Sequence, residues 1–454
     1  MTITATPAQA VGTPRAVLPA LLTVTFLTAL DFFIVNVAMP AIQVDLRAGP
    51  AALQWVVAGF GLALAAGLIT GGRLGDLYGR RRILAVGLAV FTAASGLCGL
   101  APTAGALIAG RVLQGVGAAL LMPQTLAILR TAIPPAAQPR AFSRYALTLG
   151  LGAVLGQVVG GVLIRADLFG LDWRACFLIN LPVGAVALVL LRRVPEARAT
   201  LTRKLDLPGA ALVTAALVAL VLPLIQGRAQ GWPAWTWGSL ALAAVLFSAF
   251  ILLQRYRPEP LVHPALFKVR AFAAGLVAVQ AFWMGQASFF LVLALYLQSG
   301  RGLSALGSGA VFTAVGAGYL LTSRQAHRVA ARLGRATVAV GGVVMAAGLG
   351  ALALAADRPL PWVLPGLALE GLGMGLALGP LTTLALSAVP AEHTGSASGV
   401  LATVNQTGNA LGVALIGIVF YRAATVAEGF RASVVALVVL ELALAFLARL
   451  LPRS

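Results

Sequence analysis

Four ionisable residues stand inside long apolar runs, where a charge at mid-bilayer costs on the order of 3 kcal/mol on insertion scales. They are Asp31 in LDFFIVNVAMP, Arg111 in GRVLQGVGAALLMP, Glu370 just before a run containing Gly371, Gly373 and Gly375, and Glu441 in the last apolar run. A carboxyl group in such a place can take up and release a proton, holding it more tightly when desolvated and less tightly beside a positive charge. Asp31 is therefore read as a proton carrier, the alternative being an acid that stays protonated and fixes helix packing by a hydrogen bond. Arg111 cannot deprotonate and needs an acid or a wet cavity, so it either tunes a nearby acid or serves as its structural partner. Gln114 follows one helical turn later on the same face. Glu370 precedes small residues that let backbones approach closely, which would let it face a central cavity and share in proton coupling. Glu441, in a final run of low complexity, is expected to be a packing or lipid-edge residue.

Other chemistry is excluded by what is missing. Cys98 and Cys176 lie in apolar segments without metal-ligand spacing, and His263, His327 and His393 are far apart, so no metal site is expected. The sequence has no paired carboxylates at a membrane face and no Ser or Cys with a nearby His, so an enzyme is not expected. Gly152, Gly156 and Gly160 recur every four residues, which makes a smooth helix face. A phosphate-binding loop would need a preceding strand, and no Walker lysine motif occurs, so nucleotide binding is rejected and no cofactor is expected. Any uphill work must then draw on an ion gradient.

The elements that position these residues are membrane helices. The chain has 454 residues, is 60% hydrophobic and 10% charged, and has a mean hydropathy of +0.96, which excludes a water-soluble fold. Apolar runs broken by charged or Gly/Pro-rich segments predict spans near 16–39, 51–71, 82–101, 104–126, 142–164, 174–191, 206–226, 236–254, 271–297, 304–323, 336–356, 361–386, 396–420 and 432–452. The first run is too long for a cleaved signal peptide and is expected to remain as the first span. Fourteen spans put both termini on one side. Alternate loops are rich in arginine, as in Arg80, Arg81 and Arg82 or Arg324, Arg328, Arg332 and Arg335, so that side is expected to be cytoplasmic. The net charge of +19 is then mostly topology, and the scattered basic residues do not form a nucleic-acid surface.

An internal echo suggests a duplicated plan. Gly79-Arg80 precedes Gly87 at the spacing by which Gly334-Arg335 precedes Gly342, each after a span and a basic loop. The expected division is an N-terminal six-helix half over 1–200, an inserted helix pair over 201–260, and a C-terminal six-helix half over 261–454.

The segment Gly72-Arg73-Leu74-Gly75-Asp76-Leu77-Tyr78-Gly79-Arg80-Arg81-Arg82 resembles the signature loop of the major facilitator superfamily. LDFFIVNVAMP, Arg111 with Gln114, Gly115 and Gly117, and the run from Gly152 through Gly156 and Gly160 to Gly161 resemble the first-, fourth- and fifth-span motifs of its fourteen-span drug:proton antiporter branch. WRACFLINLPVG, KLDLPG, GWPAWTW, YLQSGRGLS and GSASGVLATVNQTGNALG extend the likeness over nearly the whole chain. Two departures stand out. Gln157 occupies the place of the family's usual proline in the fifth span, and Ala331 stands where the second-half echo of Asp76 would be.

The resemblance implies an all-α alternating-access transporter that exchanges protons for small amphiphilic organic compounds, drugs or antibiotics, across a bacterial cytoplasmic membrane. Asp31, Arg111 and Glu370 would carry proton coupling. Gly72, Asp76, Gly79, Arg80, Arg81, Gly152, Gly156, Gly160 and Gly161 would form the gate. Periodicity suggests Phe32, Asn36, Gln114, Gln157, Trp283, Gln286 and Asn405 as substrate-binding residues, with Trp55 and Phe289 as further aromatic candidates. The few intramembrane acids favour neutral, zwitterionic or monocationic substrates. The expected partners are substrate, protons and lipid, with the chain acting as a monomer. Two other readings stay open: a proton-coupled uptake symporter, favoured if Gln157 marks a lost antiport motif, and a non-transporting membrane sensor or scaffold.

Overall fold

With no water in a bilayer core to satisfy peptide groups, an apolar chain must close its hydrogen bonds within helices, and the described residues form no strand. The computed structural model describes residues 14–134, 137–196, 206–257, 260, 264–387, 389 and 394–452; the expected boundary at 200/201, residue 261, His263 and His393 lie outside them. Sixteen helices follow in order: α1 (Pro14–Asp45), α2 (Pro50–Tyr78), α3 (Arg80–Gly99), α4 (Ala104–Ala132), α5 (Gln138–Ala166), α6 (Ala175–Leu178), α7 (Asn180–Leu191) and α8 (Leu207–Gln226). The second eight are α9 (Ala234–Tyr256), α10 (Arg270–Leu295), α11 (Ala305–Ser323), α12 (Ala326–Leu333), α13 (Ala336–Ala355), α14 (Val363–Ser387), α15 (Thr394–Phe420) and α16 (Val426–Leu447). Among the described residues fourteen helical segments are long and apolar enough to cross a membrane, α6 and α7 together making the sixth and α12 being too short to span. The protein is a multi-pass membrane protein.

Local signals set the helix ends. Thr103, Asp206, Ser304 and Thr425 each accept a hydrogen bond from the backbone N–H three residues on, satisfying a donor that the first helical turn leaves free. Gly79 and Gly334, the two glycines of the internal echo, both have positive φ, at 105° and 53°. A side chain is disfavoured there, and the glycine at position 79 lets α3 start directly after α2 ends. The first half of the predicted signature loop is therefore not loop: Gly72 to Tyr78 continue α2, and only Gly79 turns.

The helices form two groups, α1 to α7 and α10 to α16, meeting along seams where α2 faces α15 and α5 faces α11. The pair α8–α9 does not stand apart. Leu217, Val221 and Ile225 of α8 pack with Ala58 and Leu62 of α2 and with Ala410 and Ala414 of α15, so α8 covers one seam.

The cores are distributed unevenly between the two membrane faces. On the face away from the termini a single apolar core joins both halves, running from Ile34 and Met39 of α1 through Leu291 and Leu295 of α10 to Phe430 of α16. Nearer the termini the core divides. Val17, Leu21 and Phe91 belong to an N-terminal-half core, whereas Phe272, Phe282 and Leu444 belong to a separate C-terminal-half core. The halves thus share one core on the far face and have separate cores nearer the face from which α1 starts.

Candidate functional site

The glycine face of α5 brings α1 into place. A Cβ at Gly152 would lie 2.6 Å from the Ala29 Cβ, one at Gly156 2.9 Å from the Leu30 carbonyl oxygen, and one at Gly160 2.8 Å from Ile34 Cγ1. These glycines bracket the turn that carries Asp31. Gly161 faces the other way, where a Cβ would lie 2.6 Å from Leu306 Cα of α11. The single helix α5 therefore touches both the Asp31 turn and the opposite half.

Asp31 is fully buried and Arg111 is 1% exposed; Arg111 Nη1 donates to Asp31 Oδ2 at 2.7 Å. Arg111 also donates through Nε to the Val56 carbonyl at 3.0 Å and through Nη1 to Gln114 Oε1 at 2.9 Å, and its guanidinium lies 4.4 Å from the Phe60 ring centroid. The second oxygen of Asp31 accepts from Gln114 Nε2 at 3.0 Å and from Asn180 Nδ2 at 2.6 Å. Ser95 Oγ in turn accepts from both amides, at 2.7 Å and 3.2 Å. Four helices, α1, α3, α4 and α7, thus converge on one carboxylate. The arginine neutralises the charge and the amides fill the remaining lone pairs, the condition under which a buried pair is tolerated. Asn180 and Ser95 were not singled out in the sequence, although Asn180 stands within WRACFLINLPVG.

Between the halves lies a narrow cavity lined by Phe32, Phe33 and Asn36 of α1, Val57 of α2, Trp283, Gln286, Ala287 and Phe290 of α10, Met374 of α14 and Asn409 of α15. The space is finely divided and admits about one water molecule, so a larger guest requires side chains or helices to move. Asp31 does not line this cavity; its chain neighbour Phe32 does. Phe32, Asn36, Trp283 and Gln286, four of the seven expected substrate residues, are brought together here. Gln114 is instead part of the Asp31 cluster. Gln157 is buried with neither amide atom hydrogen-bonded, α5 continuing unbroken through it, and Asn405 lies one turn from the cavity residue Asn409. Trp55 packs under α8, and Phe289 is buried in the shared core.

Glu370 is fully buried and its Oε1 accepts from Gln286 Nε2 at 3.2 Å. Glu441 is 1% exposed, which favours the packing side of the expected alternatives over the lipid edge: α16 turns it inward toward α10, against Gly285.

At the termini face, Arg80 Nη2 pairs with Asp76 Oδ1 at 3.0 Å. The Arg81 backbone N–H, at the start of α3, donates to Glu196 Oε1 at 3.0 Å, and Arg81 and Arg82 both flank that carboxylate. An acid there complements the helix dipole. Gly72 lies against Pro123 of α4. On the far face Asp45 Oδ2 accepts from Trp173 Nε1 at 2.9 Å and from Arg174 Nη1 at 2.5 Å, and Gln298 Nε2 donates to the Val37 carbonyl of the opposite half at 3.0 Å. The Arg174 guanidinium and the Trp173 indole thus converge on Asp45 at the end of α1, and Gln298 ties the halves on the far face.

A family model described as the Major Facilitator Superfamily matches residues 21–413. The chain is 41% identical over 422 residues to a probable actinorhodin transporter of Streptomyces coelicolor, a match covering 89% of this chain and 72% of that protein. It is 36% identical to a puromycin resistance protein of Streptomyces alboniger, over 88% of this chain and 81% of the other. It is 35% identical to a tetracenomycin C resistance and export protein of Streptomyces glaucescens, over 91% and 77%. Among solved structures, a POT family transporter superposes with a TM-score of 0.70 at 15% identity, covering 94% of both chains. A D-xylose-proton symporter does so with a TM-score of 0.69 at 17% identity, over 97% of this chain and 98% of the other.

Proposed function

Because the chain belongs to the Major Facilitator Superfamily and is a transporter, we propose that it exports small amphiphilic organic compounds across a bacterial cytoplasmic membrane in exchange for protons. Both termini lie in the cytoplasm in this reading, as the arginine-rich loops on their side favour. The state described above is then closed toward the outside by the core that both halves share. Export is supported by the antibiotic resistance and export proteins that the chain resembles over most of its length.

The observation that carries proton coupling is the buried Asp31–Arg111 pair, one residue from the cavity wall. A proton arriving at Asp31 cancels the charge that faces Arg111, leaving a guanidinium buried without its counter-ion. Removing one partner of such a pair costs about 3–5 kcal/mol, and about 1.4 kcal/mol shifts an equilibrium tenfold. Protonation therefore has ample energy to change which conformation dominates, provided the rearranged state offers Arg111 new acceptors. The motion is transmitted by α5, whose glycines hold α1 on one side and α11 on the other. The pairs at Asp76 and Glu196 act on the rate of switching, and a single chain suffices for the cycle.

The test uses proteoliposomes containing a pH-sensitive dye under an imposed proton gradient, challenged with lipophilic cations and aromatic antibiotics. Export by antiport predicts that an active compound dissipates the gradient as it moves against the proton flow. Movement of compound and proton in the same direction would overturn exchange in favour of uptake by symport.

A further inference from the structure

The two seams between the halves are finished differently. The inserted helix α8 covers the meeting of α2 and α15, whereas the meeting of α5 and α11 keeps an exposed edge. There the helices run antiparallel in close contact. A Cβ at Gly161 would lie 2.6 Å from Leu306 Cα, one at Gly309 2.5 Å from the Gln157 carbonyl oxygen, and one at Gly150 3.0 Å from Tyr319 Cε1, with Gly316 against Val154 between them.

On α5, Leu147, Leu151 and Leu155 recur every four residues and are each about two-fifths exposed, on a face that meets neither α1 nor α11. In a bilayer that face meets lipid. Arg140 and Arg144 continue the same stripe toward the termini face and are exposed. On α11 Leu321 is exposed, and Arg324, also exposed, ends the helix on that side. Measured from the contact of Gly150 with Tyr319, Arg144 lies six residues back along α5 and Arg324 five residues on along α11. At 1.5 Å per residue both therefore sit about 8–9 Å toward the termini face, one from each half.

None of these three arginines has an acidic partner among the described residues, although at the same face Arg80 pairs with Asp76, and Arg81 and Arg82 flank Glu196. Topology alone asks for basic residues on this side of the membrane. It does not ask for cations of both halves at one end of one seam, in line with lipid-facing leucines. The depth also fits: Arg144 to Leu155 spans eleven residues, about 16 Å, against about 15 Å for half of a bilayer core.

We propose that the lipid-facing edge of the α5–α11 seam binds an anionic phospholipid, its phosphate held by Arg140, Arg144 and Arg324 and its acyl chains lying along Leu147, Leu151 and Leu155. Guanidinium groups suit a phosphate because they can donate two parallel hydrogen bonds to it. A soluble anion would use the arginines but not the leucines. Because the arginines belong to different halves, the affinity of the site changes when the halves move, so lipid binding and conformation are linked. The site stands apart from export and proton coupling; only its assignment to the cytoplasmic leaflet rests on the orientation given above.

The experiment uses the full-length protein with Leu151→Cys carrying a bimane fluorophore; the native Cys98 and Cys176 are buried. It is reconstituted in phosphatidylcholine brominated on its acyl chains, which quenches the fluorophore, and unbrominated phosphatidylglycerol is added in steps. Each arginine near an anionic headgroup contributes about fivefold, so phosphatidylglycerol should be preferred at the seam by at least about tenfold, less so at high salt. Combining Arg140→Gln, Arg144→Gln and Arg324→Gln should reduce the preference to about twofold or less, while the three corresponding Lys substitutions should retain most of it. Arg192→Gln with Arg193→Gln, which removes two exposed charges at the end of α7, should leave it unchanged. Equal exchange of the two lipids in the unsubstituted protein, or full preference in the triple Gln variant, would overturn the site. An equal loss in the Arg192 and Arg193 control would overturn it too, by assigning the preference to general surface charge.

Discussion

Asp31 and Arg111 illustrate how much of a site one residue type can announce. Each is costly in an apolar run, so each could be picked out before any contact was known, and Gln114 followed from helical spacing. Asn180 and Ser95 could not be found that way, because a small uncharged polar residue in an apolar segment costs little, and their chain separation from Asp31 hides the meeting. Asn180→Ala removes the 2.6 Å donor to Asp31 and should lower stability by about 1–3 kcal/mol, seen as a reduced thermal midpoint in detergent. Arg111→Lys keeps the charge but cannot reach Val56, Asp31 and Gln114 together, so substrate-driven proton flux should fall at least about tenfold although the protein still inserts. For Glu441 the packing and lipid-edge alternatives stayed open for a related reason: its type signals cost, but only the tertiary arrangement of α16 against α10 sets whether it faces lipid or the interior.

At the scale of the helix, the spans and their order were legible because length and hydropathy alone dictate them. The depth of each side chain along its helix was less so, which explains why Asn405 was expected along the cavity and Asn409, one turn on along the same face, lines it. The α5 glycines, by contrast, could be read as one contact face, and the structure shows what that face touches. Gly156→Leu forces bulk into the space occupied by the Leu30 carbonyl, so it should separate α5 from α1 and abolish transport while membrane insertion, checked by protease protection, is retained. The Asp76–Arg80 pair is partly exposed, at 41% and 17%, and such pairs contribute roughly 0–1 kcal/mol. Asp76→Asn should therefore leave the thermal midpoint nearly unchanged and slow the transport rate, an outcome that separates a gate from a structural brace.

Across the whole molecule, the joined core on one face and the divided cores on the other define one end of a rocking motion. Nothing in hydropathy distinguishes this arrangement from its opposite, since the same helices serve both. Spin labels at Val44 and Leu354, both exposed at the far face, should move apart when the protein switches, and labels at Tyr78 and Leu333 on the termini face should approach. Pulsed distance measurements in lipid at two pH values and with tetraphenylphosphonium would register both changes; movement of only one pair would argue against rigid-body rocking.

The most direct test of proton coupling through Asp31 compares wild type with Asp31→Asn in one proteoliposome preparation, measuring substrate-elicited proton movement beside substrate exchange without a gradient. The expected result is that Asp31→Asn still exchanges substrate across the membrane but no longer moves protons with it. Equal proton movement in both proteins, with an active substrate present, would contradict the central role of the Asp31–Arg111 pair.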